Sequence, residues 1–74
     1  MGENIERYSA YNKAGVFQSS YSTELTKVKM NPYAMARDCA KILDGYYTAT
    51  FEDGSEEIVE DFRFIEVEIE EEEV

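Results

Sequence analysis

Hydrophobic and polar residues alternate along the first part of the chain in a way that predicts a β-hairpin. Residues 5–11 and 16–21 place tyrosines and apolar residues among polar ones, and tyrosine favours strands. Residues 12–15, Asn-Lys-Ala-Gly, have the asparagine and glycine that suit the first and fourth positions of a type I turn. We therefore predict two strands joined at this turn. A polar connection over residues 22–30, with a short extended piece, would follow.

The spacing of apolar residues becomes helical after Asn31-Pro32. Asparagine is a favoured N-cap, and proline fits the first helical turn because its missing N–H would be unpaired there anyway. Gly45 stands where a left-handed C-terminal cap is wanted. We predict a helix over residues 32–44. Its apolar residues recur on one face: Met35, Ala36, Cys39, Ile42 and Leu43.

A second hairpin is predicted around Asp53-Gly54, since both residues tolerate the positive φ of a tight turn. Residues 46–51 are rich in aromatic and β-branched residues, as strands prefer. A two-residue turn would place Phe51 opposite Glu56 and Ala49 opposite Ile58. One face would then hold four apolar residues: Tyr47, Ala49, Phe51 and Ile58.

The returning strand, residues 57–70, changes phase partway. Its apolar residues have even numbers at first (Ile58, Phe62, Phe64) and odd numbers later (Ile65, Val67, Ile69). One face of a strand cannot hold both sets without an extra residue, so a β-bulge or bend is predicted near residues 64–65. The alternative is that the second set packs against another surface, such as a second subunit.

These elements predict one α+β domain over residues 1–74, an antiparallel sheet of about four strands with one helix, in the order ββαββ. One helix packed on a sheet buries the apolar face of each. A chain of this size buries only about 60% of its unfolded surface, so oligomerisation would strengthen its thin core. The glutamate-rich end, residues 70–74, is expected to fray.

The distribution of charged residues along the chain is more informative about function than the overall composition. Residues 52–74 hold twelve of the seventeen acidic residues and one arginine, a net charge of −11, whereas residues 1–51 carry +1. In residues 65–70 the acids alternate with apolar residues, which indicates a strand rather than a disordered tail. Alternate strand residues lie roughly 6.6–6.8 Å apart, and a DNA strand presents a phosphate about every 3.4 Å. A row of such carboxylates could approximate one phosphate track.

In this charge pattern, carried by residues 52–73, the chain resembles the small acidic DNA-mimic proteins of phages. The resemblance lies in charge geometry and not in a sequence motif. It implies an inhibitor that occupies the DNA-binding surface of a basic host protein in the host cytoplasm. An HU-type nucleoid-associated protein, a nuclease or a polymerase subunit would fit. The residues expected to stand in for phosphates are Glu52, Asp53, Glu56, Glu57, Glu60, Asp61, Glu66, Glu68 and Glu70.

Two other hypotheses stay open. The six tyrosines favour a small dimeric acidic adaptor. It would bind a partner through tyrosines and the helix, without DNA mimicry. The simplest explanation of the glutamates is that they keep the end of the chain soluble. The simplest explanation of the tyrosines is that they complete a small core. The candidate interface residues are Tyr46, Tyr47, Ile65, Val67 and Ile69.

Enzymatic and metal chemistry find little support in the composition. The chain has no histidine and one cysteine, Cys39, so Ser-His-Asp or Cys-His catalysis and His/Cys zinc sites are excluded within one chain. We expect a non-enzyme with no catalytic residue, metal or cofactor. The negative charge argues against direct contact with nucleic acid or anionic membranes. A lone cysteine and the lack of a signal-peptide pattern favour an intracellular setting.

Overall fold

The computed structural model of the chain describes residues 4–63, which form a four-stranded antiparallel sheet with one α-helix packed on it. The strands are β1 (Ile5–Tyr11), β2 (Phe17–Ser22), β3 (Tyr46–Phe51) and β4 (Glu56–Asp61), and the helix is α1 (Pro32–Ile42). The strand order across the sheet is β2-β1-β3-β4. The predicted α+β class and its ββαββ order are confirmed at this level. Within the described residues, no helix has the length and apolar character needed to cross a membrane.

The first hairpin is organised by Asn12. Its Oδ1 accepts hydrogen bonds from the backbone N–H groups of Ala14 (2.9 Å) and Val16 (3.0 Å), and Gly15 takes a positive φ of 85°. The segment after β2 differs from the expected polar connection with an extended piece, because residues 23–28 form a 3-10 helix. Ser22 caps that helix by accepting a hydrogen bond from the Glu24 N–H.

The helix begins as predicted and ends earlier. The Asn31 side chain accepts a hydrogen bond from the Ala34 N–H at 3.1 Å. The helix ends at Ile42, and Asp44, with a φ of 57°, takes the left-handed position that the sequence assigned to Gly45. Gly45 donates its N–H to the Ala40 carbonyl at 2.9 Å, which completes a Schellman cap. Glycine is needed there for another reason, because a Cβ would collide with the backbone of residues 11–12.

The helix packs on the sheet through small residues. Pro32, Ala36 and Ala40 are buried, at i, i+4 and i+8. Ile42 was predicted on the buried face and is instead 83% exposed. The alanines let the helix lie close to the sheet, so its contact stripe is centred on them rather than on the larger residues.

Aromatic rings fill the space between the helix and the sheet. Tyr47 is fully buried and packs edge-on against Tyr33, with ring centroids 5.8 Å apart, and more nearly parallel to Phe62 at 6.2 Å. Tyr8 also meets Tyr33 edge-on at 5.5 Å. The Tyr47 hydroxyl donates to the Tyr33 hydroxyl at 3.2 Å, and burial raises the pKa of Tyr47 above its ordinary value. Several of the tyrosines therefore build the core.

The turn between β3 and β4 is one residue longer than predicted. The Phe51 N–H donates to the Ser55 carbonyl (2.8 Å), the Gly54 N–H donates to the Phe51 carbonyl (2.9 Å), and Gly54 has a φ of 93°. This is the three-residue loop that ends in a left-handed glycine. The predicted register is therefore wrong by one residue: Ala49 lies opposite Glu57, and Ile58 lies opposite Thr48. Ile58 consequently lies on the sheet face away from the helix.

A β-bulge interrupts β4 at Val59. Tyr47 pairs with Glu60 and Thr48 pairs with Ile58, so Val59 is an extra residue in β4. The bulge changes the phase of the strand and lets Phe62 reach Tyr47 on the helix side. The bulge predicted near residues 64–65 lies outside the described residues, as does the expected fraying of residues 70–74.

Candidate functional site

The negative charge of the described residues is collected at one rim of the sheet. Residues 52–63, which we call the acidic edge, contain six acids and one arginine, a net charge of −5. Residues 4–51 contain four acids and six bases, a net charge of +2. The strand order places β4 at the outside of the sheet, and five of its six residues are exposed. The charge asymmetry of the sequence is therefore an asymmetry of the surface.

The bulge at Val59 divides the acids of β4 between the two sheet faces. Glu57 lies opposite Ala49, and Glu60 lies opposite Tyr47, which places both on the helix side. Glu56 lies opposite Thr50, and Asp61 lies opposite Tyr46, which places both on the other face. The acids of β4 therefore flank a rim rather than forming one row on one face.

Asp61 is already neutralised by Arg63. The guanidinium donates to both carboxylate oxygens, from Nη2 to Oδ2 at 2.7 Å and from Nε to Oδ1 at 2.9 Å. These hydrogen bonds hold the pKa of Asp61 below its ordinary value. Arg63 also lies over the Tyr46 ring at 4.7 Å and donates to the Lys13 carbonyl at 2.9 Å. Asp61 thus serves mainly to fix the end of β4.

Glu56 and Asp53 are likewise engaged inside the fold. Glu56 Oε2 accepts hydrogen bonds from the Thr48 hydroxyl (2.9 Å) and the Tyr11 hydroxyl (3.1 Å). Burial, and then the charge of Glu56, raise the pKa of Tyr11. Asp53 Oδ1 accepts from the N–H and the hydroxyl of Ser55, which lowers the pKa of Asp53. Both carboxylates shape the hairpin that carries the acidic edge.

Three carboxylates of the acidic edge are exposed and form no ion pair with residues 4–63. These are Glu52, Glu57 and Glu60. Glu52 is anchored through its backbone, since its N–H donates to the Asn4 carbonyl at 2.9 Å. These three side chains are held on an ordered hairpin and face water.

The other sequence candidates are divided between the core and the end of the chain. Tyr47 is in the core, and Tyr46 is half-buried between Arg63 and Tyr11, whose ring stacks on it at 4.8 Å. Six candidates lie outside the described residues: Ile65, Glu66, Val67, Glu68, Ile69 and Glu70.

Sequence reasoning missed the exposed apolar residues of β4. Ile58 is 59% exposed and Val59 is 41% exposed, in the midst of the acids. Ile58 was assigned to a buried face through the two-residue turn. The sequence Asp53-Gly54-Ser55 is also compatible with the longer loop, since aspartate commonly binds the backbone N–H two residues on, as Asp53 does here.

No cavity and no cluster of three metal-ligating side chains occurs in the part of the chain that the structure describes. Cys39 is half-buried on the helix, with its Sγ 3.6 Å from the Ser19 hydroxyl.

Comparisons with protein-family models, curated proteins and solved structures found no match.

Proposed function

We propose that this chain is a non-enzymatic inhibitor whose acidic edge binds the DNA-contacting surface of a basic protein and thereby excludes DNA. The observation that carries the proposal is the segregation of charge: −5 on the twelve residues of the acidic edge at the sheet rim, against +2 on residues 4–51. A phosphate-binding surface is lined with lysine and arginine. Complementary potentials steer such surfaces together and speed their association.

An ordered hairpin suits this role better than a flexible acidic tail. Binding costs free energy for every side chain and loop that must be ordered, and a preformed surface reduces that cost. Glu57 and Glu60 stand on a strand paired with β3, and Glu52 stands in a loop fixed by hydrogen bonds of Phe51 and Asp53. Residues 66–73 add six glutamates to the same end of the sequence.

The adaptor hypothesis has less support. That hypothesis has the tyrosines contact the partner, but Tyr47 is fully buried and the Tyr46 ring is covered by the Arg63 guanidinium. It retains the helix, where Ile42 is 83% exposed. Tyr33, on the same helix, is 39% exposed, and it lies nine positions before Ile42, so the two residues face different sides of the helix. Apolar residues that are exposed singly are ordinary on a protein surface. A contact centred on Ile42 would depend weakly on salt, whereas a contact at the acidic edge would weaken steeply as salt rises.

The test compares two double variants that change the net charge equally, from −10 to −6. Glu57→Lys with Glu60→Lys reverses the exposed carboxylates of the acidic edge. Glu6→Lys with Glu24→Lys reverses two exposed glutamates elsewhere on the surface. We expect the first variant to lose at least tenfold in affinity for a DNA-binding protein captured from bacterial lysate, and the second to stay within about threefold of wild type; tenfold corresponds to about 1.4 kcal/mol.

A further pair addresses the acids beyond the described residues. Glu66→Lys with Glu68→Lys is expected to abolish capture while the circular dichroism spectrum stays that of the wild type. Unchanged affinity in this variant would remove residues 66–70 from the proposed surface.

Equal losses of affinity in the Glu57/Glu60 and Glu6/Glu24 double variants would show that binding depends on net charge alone. That result would contradict the assignment to the acidic edge.

A further inference from the structure

We propose that the outer side of β4 accepts an added β-strand from the partner, namely an extended segment in which cationic residues alternate with apolar ones. This rests on the proposed function for the sign of the partner's charge and adds the way in which the partner is held. Within residues 4–63, β4 pairs with β3 alone and forms one rim of the sheet. An edge strand of this kind is a template for another extended chain.

The backbone geometry identifies the groups that would pair. In an antiparallel ladder, alternate residues direct their N–H and C=O groups toward the neighbouring strand and the others direct them away. Ser55 faces β3, since its carbonyl accepts from the Phe51 N–H at 2.8 Å, so Glu57 faces β3 as well. Glu56 and Ile58 therefore direct their N–H and C=O groups outward.

Nothing in the described residues covers this rim. The helix packs mainly against β1, β2 and β3. The side chains of β4 are exposed from Glu56 to Glu60 on both sheet faces. An incoming strand can therefore approach in the plane of the sheet without displacing any described element.

The side chains of β4 specify the chemistry of the incoming strand. Ile58, 59% exposed, lies on the face away from the helix and offers an apolar cross-strand contact. Glu57, on the helix side, offers a carboxylate, and Glu60 repeats it beyond the bulge. Cross-strand pairs of opposite charge stabilise a sheet, and like charges directly opposite each other destabilise it. A strand with lysine or arginine on one face and apolar residues on the other meets both requirements.

The same side chains disfavour a second copy of this chain. Pairing β4 with another β4 would bring its glutamates against those of the second copy. Charged side chains and bulges are devices that keep an edge strand from pairing with itself, and β4 has both. The edge therefore selects a cationic partner strand, because its glutamates attract that strand and repel the β4 strand of a second copy.

The test uses a ten-residue peptide of alternating lysine and valine, blocked at both ends, with the full-length chain. Two further peptides carry N-methyl groups, on the lysine amides in one and on the valine amides in the other. All three have the same charge. Strand addition predicts that one methylated peptide loses at least tenfold in affinity and the other stays within about threefold of the parent, because only alternate amides face β4. It also predicts slower hydrogen exchange at the Glu56 and Ile58 amides in the complex.

A protein variant provides the complementary test. Ile58→Pro removes an outward N–H while leaving the N–H groups that face β3, and proline is tolerated at such edge positions. We expect it to lose at least tenfold in affinity for the parent peptide. Ile58→Thr keeps the N–H and loses only the apolar contact, so it is expected to lose less affinity than Ile58→Pro; equal losses would contradict the role given to the backbone N–H. If Ile58→Pro does not fold, the methylated peptides decide.

Equal binding of the two methylated peptides, or unchanged exchange at residues 56 and 58, would overturn strand addition and leave charge attraction alone. That result is separate from a failure of the proposed function. DNA mimicry fails when no DNA-binding protein is captured, whatever the peptide shows.

Discussion

At the scale of single residues, the structure assigns several conspicuous side chains to stability rather than to binding. Tyr47 was a candidate contact from sequence and lies fully buried. Asp61 was a candidate phosphate analogue and is bound by Arg63 through both oxygens. The burial of Tyr47 depends on what lies across the fold, which composition and spacing do not contain, whereas the Asp61–Arg63 contact joins residues only two positions apart.

Replacing Tyr47 by alanine is expected to unfold the chain. Truncating a large buried aromatic residue costs about 3–5 kcal/mol, and a core of this size rarely supplies more than that. Ile42→Ala is the control, because Ile42 is 83% exposed and surface changes usually stay within about 0.5 kcal/mol. Urea denaturation followed by circular dichroism checks both. A cooperative transition of wild-type midpoint in Tyr47→Ala would contradict the aromatic core.

The bond between Arg63 and Asp61 predicts a particular pH dependence. The hydrogen bonds hold the pKa of Asp61 in the folded protein below its ordinary value. Such a group stabilises the fold above its unfolded pKa of about 3.9 and loses that contribution as pH falls through its folded pKa. Asp61→Asn should therefore melt at a lower temperature than wild type at pH 7, and the difference should shrink as pH falls below the unfolded pKa of about 3.9 and through the lower folded pKa.

Asp38→Asn is the matched control for this pH profile. Asp38 pairs with Arg37 at 3.1 Å on the exposed side of the helix, where ion pairs contribute little. Its melting temperature should follow that of wild type at every pH. A difference between Asp61→Asn and wild type that does not shrink as pH falls below about 3.9 would contradict the role given to the carboxylate charge.

At the scale of elements, the sequence predicts the features that depend on contacts between residues close together in the chain. The Asn31 N-cap, the turn at residues 12–15 and the order of the elements all follow from side chains that act within a few positions of themselves. The β3–β4 register does not follow from local side chains, because Asp53-Gly54 fits both a two-residue turn and a three-residue loop. The bulge at Val59 then moves the acids onto two faces. The acidic edge was therefore predictable as a charged strand, whereas the division of its acids between the sheet faces was not.

Deleting Val59 tests the bulge as an element. Without the extra residue, the phase of β4 no longer changes, and Phe62 turns away from Tyr47, which it now meets at 6.2 Å. We expect a loss of roughly 2 kcal/mol or more in the free energy of unfolding, comparable to losing a large buried side chain. Val59→Thr keeps the residue count and is expected to stay within about 1 kcal/mol of wild type. Equal stability of the deletion and wild type would contradict the bulged register.

At the scale of the whole molecule, the charge asymmetry predicts that salt stabilises the free protein. Screening shortens from about 30 Å at 0.01 M to about 3 Å at 1 M ionic strength, which weakens repulsion among the carboxylates of residues 52–73. The melting temperature should rise between 10 mM and 500 mM NaCl. The rise should be smaller in Glu57→Lys with Glu60→Lys than in Glu6→Lys with Glu24→Lys. A flat or falling melting temperature in the wild type would contradict a packed acidic edge.

The most direct test of DNA mimicry is whether duplex DNA releases the proteins that the immobilised chain captures from bacterial lysate at low salt. DNA mimicry predicts that a DNA-binding protein is retained, and that duplex DNA displaces it at a salt concentration where buffer alone does not. A captured partner that resists excess DNA, or a lysate that yields no DNA-binding protein, would contradict the claim that the acidic edge occupies a DNA-contacting surface.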